Sequence, residues 1–459
     1  MQITNLNPDS DIGATSWWVE FEGHRLLLDA GTHPKREGRA SLPRYDLVDG
    51  QELDALVLTH CHHDHVGSLP VALHHFPRAH VLMTELSYHL VERVLHNSVN
   101  VMQRQRDELG IREYPLYTHQ EVDDFAAVFQ GFQYSREIEW AQFPRRRAGS
   151  RLPTLEFLDA GHALGSAGVM VRGERQTLFF TGDVCFHDQT LLRRADFGDV
   201  RADVLVMETT RGNKATPVGF TREAEIERLA TQLEKVLAGR GSVLIPAFAL
   251  GRTQEILATL ALLMKAGRLK PQPVYIGGLG RVFTEIYDLE SHRVNRNHTN
   301  LKLTHALNLQ VLSGNDSQGV RLSPGRIFVL TSGMMVEKTA AHDLALRLFA
   351  DEKHAIFFVG YTDPSTPGGR LRASQRGEKF HFSGASGEVV RNCAIHEFDL
   401  TAHAFREDLL EFVGQVRPRT VVLGHGDAPA RAWFALAIQQ KFPRIKVFQP
   451  GPGEKVVAD

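Results

Sequence analysis

Positions 60–65 constrain this chain more than any other six. In T-H-C-H-H-D-H-V-G-S-L-P, residues 59–70, they hold four histidines and an aspartate. Neutral imidazoles and a carboxylate crowded into one turn are costly at neutral pH unless a cation shares them. His60, His62, Asp64 and His65 fit the pattern H-x-H-x-D-H, set between the apolar run D-A-L-V-L-T-H and the segment V-G-S-L-P. Imidazole and carboxylate with no thiolate suit Zn²⁺, and open coordination leaves room for water. Crowding prevents all four from binding one tetrahedral ion with a free position, so two ions sharing them is the economical solution. Cys61 and His63 are expected to point away from the pair, either packing or supporting the ligands from behind.

Other short apolar runs also stop abruptly at a polar residue. H-R-L-L-L-D-A-G ends at Asp29, Q-T-L-F-F-T-G-D at Asp183, D-V-L-V-M-E-T-T near Glu208 and T-V-V-L-G-H-G at His425. Runs of this length bounded by Gly or Asp read as buried strands. Five strands each delivering a carboxylate or imidazole fit a layered α/β fold that displays chemistry at its strand ends. From about residue 213 the texture changes. A helix is expected from Thr221 to Gly239, with Ile226, Leu229, Leu233 and Val236 on one face. Strands S-V-L-I-P-A-F, P-V-Y-I-G-G, R-I-F-V-L-T-S-G and H-A-I-F-F-V-G-Y then alternate with helices, which suggests a second, parallel-sheet unit inserted into the first. E-S-H-R-V-N-R-N-H-T-N, from Glu290 to Asn300, reads as a loop without periodicity. At 459 residues, two domains or one with a large insertion is the expectation. The formal charge of −2 argues neither for nor against a polyanionic partner, and only local patches could. Three scattered cysteines do not make a disulfide framework and fit a reducing cytoplasm. No membrane span and no secretory leader are expected.

The cluster resembles that of the metallo-β-lactamase superfamily, and the resemblance extends along nearly the whole chain. Asp29 matches its first aspartate, which orients ligands. His162, in D-A-G-H-A-L-G-S-A-G, matches its third-motif histidine, and Asp183 the carboxylate shared by both metals. Because a large insertion separates Asp183 from the last histidine, the chain is similar to the β-CASP nuclease subgroup. It resembles compact prokaryotic relatives of the polyadenylation-factor endonuclease and of ribonuclease J. Glu208 matches motif A, His403 in D-L-T-A-H motif B, and His425 in V-L-G-H-G-D motif C. I-P-A-F-A-L-G-R-T-Q-E, T-S-G-M-M and F-V-G-Y are supporting matches. Motif A departs from the pattern at Arg211, where tyrosine is common. Motif B is usually followed by an aspartate, where this chain has Ala404-Phe405-Arg406. The turn after F-V-G-Y is also altered, to T-D-P-S-T-P-G-G-R-L.

The resemblance implies an α/β fold, a metallo-β-lactamase αββα sandwich with an inserted α/β β-CASP cap. It divides the chain into 1–212 and 386–459 for the sandwich and 213–385 for the insertion. It implies two Zn²⁺ ions, one held by His60, His62 and His162, the other by Asp64, His65 and His425, with Asp183 shared. The implied reaction is zinc-dependent hydrolysis of RNA phosphodiester bonds, endonucleolytic with 5′-exonuclease action as a further expectation. Products carry 5′-phosphate and 3′-hydroxyl ends. Asp64, Asp183, Glu208, His403 and Asp29 form the expected catalytic set, with His403 the general acid tuned by Glu208. Arg252, Ser332, Gly333 and Arg370 are expected to hold backbone phosphates. Lys35, Arg36 and Arg39, after Asp29, and the cluster P-R-R-R-A-G-S-R at 144–151 are further candidates, against the plainer reading of solvated loops. The partner is single-stranded RNA. A DNA-processing nuclease on the same scaffold is the rival, and an inactive scaffold subunit the remote one, since no ligand is missing. The long insertion disfavours a small-molecule hydrolase. The oligomeric state is open, a homodimer included.

Overall fold

The computed structural model describes residues 1–139, 153–312, 319–322, 324–382 and 387–458; the basic cluster at 144–151 lies outside them. The chain forms two compact units. One comprises residues 1–187, 194–216 and 403–459, the other 188–193 and 217–402.

The first unit is a sandwich of two seven-stranded sheets. One runs, in spatial order, through Lys455–Val457, Gln2–Asn5, Trp17–Phe21, His24–Leu28, Ala55–Val57, His80–Thr84 and Phe129–Phe132. The other runs through Lys446–Phe448, Thr420–Gly424, Val204–Glu208, Thr177–Phe180, Ala167–Arg172, Thr154–Asp159 and Ile138–Glu139. Their facing side chains make one core, with Val19, Leu26, Leu28 and Val57 from the first sheet against Phe157, Val169, Leu178, Val206 and Val422 from the second. The outer face of the second sheet buries Met170, Phe179, Leu205 and Leu423 against Phe412, Phe434 and Ile438 of the helices Arg406–Val416 and Ala428–Lys441. The long helix Glu85–Leu109 packs over the outer edge of the first sheet. Helix, sheet, sheet, helix is the layering expected.

Parallel pairing decides where the polar strand ends go. His24–Leu28, Ala55–Val57 and His80–Thr84 are mutually parallel, as are Thr177–Phe180, Val204–Glu208 and Thr420–Gly424. Parallel neighbours finish at the same edge of a sheet, so the residues that terminate them collect there. Two terminators, Asp29 (φ 62°) and His425 (φ 43°), adopt the left-handed backbone region that non-glycine residues rarely enter.

The second unit is built on a parallel six-stranded sheet, in the order Leu309–Leu312, Val274–Gly277, Ile327–Leu330, Val243–Pro246, Ala355–Phe358 and Ala394–Glu397. From its near-central first strand, Val243–Pro246, the chain proceeds to one edge, returns through Ile327–Leu330 and continues to the other edge. The helix expected over 221–239 spans Arg222–Ala238, capped by Thr221, whose hydroxyl accepts the Ala224 amide at 3.2 Å. Residues 188–193 join this unit through Glu255, which accepts the Leu191 and Leu192 amides at 2.9 and 3.0 Å. The stretch 290–300 has no long element, yet Arg296 within it is 1% exposed and donates to the Tyr287 and Leu301 carbonyls. Among the described residues, no helix is long and apolar enough to cross a membrane.

Candidate metal centre

The C-terminal edges of the two sheets in the first unit carry the candidate site. The strand Ala55–Val57 leads into Thr59 and His60, and the short helix His63–Val66 turns Asp64 and His65 back toward them. His162 comes from the loop joining Thr154–Asp159 to Ala167–Arg172, and Asp183 lies three residues past Phe180. Glu208 ends its strand, and His425 immediately follows Gly424.

The side chains gather in two groups. His60, His62, His162 and Asp183 offer nitrogen or oxygen atoms all within 4.8 Å of one another, as do Asp64, His65 and His425. Asp183 lies between the groups. Its Oδ2 is 3.7 Å from both His60 Nε2 and His162 Nε2, and its Oδ1 is 3.4 Å from His65 Nε2 and 3.2 Å from His425 Nδ1. Within the groups, His162 Nε2 and His62 Nδ1 are 3.1 Å apart, and His65 Nε2 and His425 Nε2 are 3.3 Å apart. His425 Nε2 is also 3.3 Å from Asp64 Oδ2.

Two carboxylates and five imidazoles share this largely buried space, and the charges explain their protonation. Burial, reinforced by charge on His65 and His62, holds the His60 imidazole well below its ordinary range, so it stays neutral. Burial opposes charge on Asp183 and Asp64 too, but His425 and His65 outweigh it and keep both ionised. On His65 and His425 the burial penalty is overcome by Asp183 and its fellow carboxylates, and both imidazoles are pushed up. The pocket therefore calls for positive charge, which a divalent cation can supply in competition with protons. Two atoms test that fit. His60 Nε2 and Asp183 Oδ1 are buried without a hydrogen bond among the described residues, a costly state that metal coordination would relieve. The donor set, all N and O, suits zinc.

Supporting contacts aim the donors. Asp29, fully buried, accepts the Thr59 amide at 2.7 Å and the Thr59 hydroxyl at 2.8 Å, and its Oδ2 lies 2.7 Å from His65 Nδ1. An ionised carboxylate only accepts, so Nδ1 carries the proton and Nε2 is left to a metal. Asp29 thus stands behind the donors and touches none of the space between them. Thr59 and Thr210 are partners that sequence reasoning missed: the Thr59 hydroxyl is 3.1 Å from His60 Nδ1, and the Thr210 hydroxyl 3.1 Å from His425 Nδ1. Their signal was adjacency, Thr59 directly before His60 and Thr210 two residues after Glu208.

Glu208 and His403 form a pair beside the donors. His403 Nδ1 donates to Glu208, 3.2 Å from Oε1 and 3.1 Å from Oε2, and the Val184 amide donates to Oε1 at 2.8 Å. The His403 and His162 rings are 4.6 Å apart by centroid. Cys61 turns away from the site, its thiol donating to the Ser87 carbonyl at 3.4 Å. Lys35 pairs with Asp11 at 3.1 Å and Arg36 with Asp9, while His33 Nε2 sits 2.8 Å from Asp11. Asp9, Asp11 and His33 could also hold an ion, but these two cations already balance the two aspartates. Lys35 and Arg36 are thus engaged by the aspartates of the segment 9–11.

In the second unit, Arg252, Ser332 and Gly333 follow the C-terminal ends of Val243–Pro246 and Ile327–Leu330, where parallel sheets bind ligands. Arg252 donates to the Leu400 carbonyl, and a Cβ at Gly333 would meet the Phe248 amide nitrogen at 3.2 Å. Arg370 lies in the short helix Pro367–Ala373, exposed, and donates to the Ser365 carbonyl at 2.8 Å.

Comparison with known proteins agrees with this architecture. Residues 10–218 match the metallo-beta-lactamase superfamily, residues 253–371 the Beta-Casp domain, and residues 388–450 the Zn-dependent metallo-hydrolase RNA specificity domain. A Thermus thermophilus protein named a ribonuclease is 31% identical over 93% of this chain and 93% of its own length. The chain belongs to the β-CASP family of the metallo-beta-lactamase superfamily. Cleavage and polyadenylation specificity factor 73 of Drosophila melanogaster is 25% identical over 98% of the chain and 64% of its own length. A Dictyostelium discoideum subunit 3 of the same factor is 25% identical, with 56% of its length covered, so the chain spans little more than half of such relatives. A crystal structure of a protein of unknown function from Enterococcus faecalis shares the fold, with a TM-score of 0.57 at 13% identity over 99% of each chain.

Proposed function

We propose that this chain is a two-zinc phosphodiesterase that cuts single-stranded RNA internally and leaves 5′-phosphate and 3′-hydroxyl ends. One observation carries the reading: two groups of mostly buried donors meet at Asp183, one carboxylate oxygen turned to each, with the Glu208–His403 pair alongside. RNA is supported by the match to the RNA specificity domain and by relatives named ribonuclease or endoribonuclease. His60, His62, His162 and Asp183 would hold one ion, and Asp64, His65, His425 and Asp183 the other. When bound, such a pair supplies Lewis-acid activation of water and neutralises charge on the phosphoryl group.

The chain's own residues do the rest. Asp29 and Thr59 keep His65 in the tautomer that presents Nε2, and Thr210 steadies His425. His403 as imidazolium gives its Nε2 proton to the departing 3′ oxygen, while Glu208 holds Nδ1 and stabilises the charged ring. Arg252, the Ser332 and Gly333 amides and Arg370 take the backbone phosphates. A reducing cytoplasm belongs to the reading, because Cys61, Cys185 and Cys393 are buried thiols outside any disulfide.

Zinc content and cleavage of matched linear RNA, circular RNA and DNA, with and without chelator, test the proposal. RNA of both forms should be cut, chelation should stop it, and zinc should restore it. Intact circular RNA would remove endonuclease action, equal cutting of DNA would remove the RNA assignment, and cleavage after full chelation would remove the metal.

A further inference from the structure

We propose that Arg211 and Phe405 form a cation–π clasp that positions the loop carrying His403, making both positioning residues for proton delivery. The inference rests on the phosphodiesterase reading above. The Arg211 guanidinium carbon lies 5.0 Å from the centroid of the Phe405 ring. The same ring stacks on His187 at 4.6 Å, with the planes 16° apart. Phe405 follows His403 by two residues, and Arg211 follows Glu208 by three, so the contact ties together the chain segments that carry the two members of the pair. These are also positions at which motifs A and B depart from the pattern the chain otherwise follows, and in the fold the two departures meet.

The turn that carries Arg211 is anchored on its other side to the donor His425. The Thr209 amide donates to the His425 carbonyl at 3.1 Å, and a Cβ at Gly212 would meet the Ala430 carbonyl oxygen at 2.4 Å, so the turn cannot draw back. Toward the His403 loop, Arg406 donates to the Gly212 carbonyl at 3.3 Å. Beside the His403 ring, the Ala404 amide donates to the Val184 carbonyl at 2.6 Å. Any pivot of this loop would carry His403 off Glu208. The Phe405 ring, set between Arg211 and His187, opposes that pivot through its side chain. Arg211 is only 8% exposed, which suits a brace rather than a substrate contact, and burial strengthens an arginine–aromatic attraction.

Zinc-loaded Phe405→Leu, Phe405→Tyr, Arg211→Met and the double variant Arg211→Met/Phe405→Leu decide the matter. Single-turnover RNA cleavage should fall about tenfold in each of Phe405→Leu and Arg211→Met, with KM, zinc content and melting temperature held. Phe405→Tyr, which keeps the ring face, should retain cleavage within about threefold, and the double variant should be no slower than the slower single. Hydrolysis of bis(p-nitrophenyl) phosphate, whose leaving group needs no proton, should stay at the wild-type rate. Carbethoxylation of His403 by diethyl pyrocarbonate, followed by mass spectrometry, should quicken in Phe405→Leu and Arg211→Met. Equal losses on the aryl diester would assign the clasp to the metal donors instead, and multiplicative losses in the double variant would dissolve the pairing. An unchanged rate of His403 modification would overturn the clasp whatever the enzyme cuts. Wild-type protein that cuts no RNA would overturn the nuclease reading, leaving the modification rates to decide the clasp.

Discussion

Most of the candidate metal donors of the first unit, and Arg252, Ser332 and Gly333 of the second, follow the C-terminal ends of parallel strands, yet the two sets are built in different ways. His60, His65, His162, Asp183 and His425 are buried, and Thr59, Asp29 and Thr210 fix the rings of His60, His65 and His425. Arg252 is half-buried and Arg370 exposed, and each rests on a carbonyl within its own unit. A multidentate ion tolerates little error in ligand position, so its donors are set by folding and their charges compensated in advance. A phosphate contact needs only a cation within reach, and an arginine leaves a carbonyl for a phosphate at small cost. Substitutions in the first unit should therefore break the chemistry, while those in the second should mainly weaken binding.

The sharpest break should come at Asp183. Asp183→Asn removes the charge both groups share, so bound zinc should drop below two per chain and kcat by at least about a thousandfold. Elemental analysis alongside single-turnover cleavage reads both. His403→Ala should keep its zinc and still lose about 10²- to 10⁴-fold in cleavage rate. Full activity in that variant would leave the proton donor unassigned. Asp29→Asn acts one step further back. It should weaken zinc affinity by about 10- to 100-fold, measured by competition with a chelating dye, while kcat at saturating zinc changes much less. Arg252→Ala should be mildest, raising KM severalfold at constant kcat and lowering the salt slope of RNA binding by about 0.7. Were Arg252→Ala to cost as much kcat as Asp183→Asn, the contrast between the units would fail.

Much of the centre was readable before any coordinates. A run that is apolar up to one polar residue can be recognised locally, and the structure ends strands at Leu28, Val57, Phe180, Glu208 and Gly424, each just before or at such a residue. The candidate phosphate contacts were less legible, because an arginine or a glycine pair in a loop looks alike whether it binds a ligand or only turns the chain. Lys35 and Arg36 show why. Their positive charge is plain in the sequence, but Asp11 and Asp9, which neutralise it, lie more than twenty residues away. The loop around Arg296 is similar, since nothing in its composition announces a buried guanidinium capping carbonyls.

What the sequence determined by itself was the chemistry on offer: which strands end in imidazole or carboxylate, and that thiolates are not among the donors. Local pattern suffices there, because strand burial and residue type are properties of short segments. Only the tertiary structure decided that Asp183 turns one oxygen to each donor group, that Thr59 and Thr210 hold the imidazoles, and that Arg211 lies over Phe405. Those arrangements depend on directions and distances between segments as many as 361 residues apart, as for Asp64 and His425, which sheet pairing and core packing fix together.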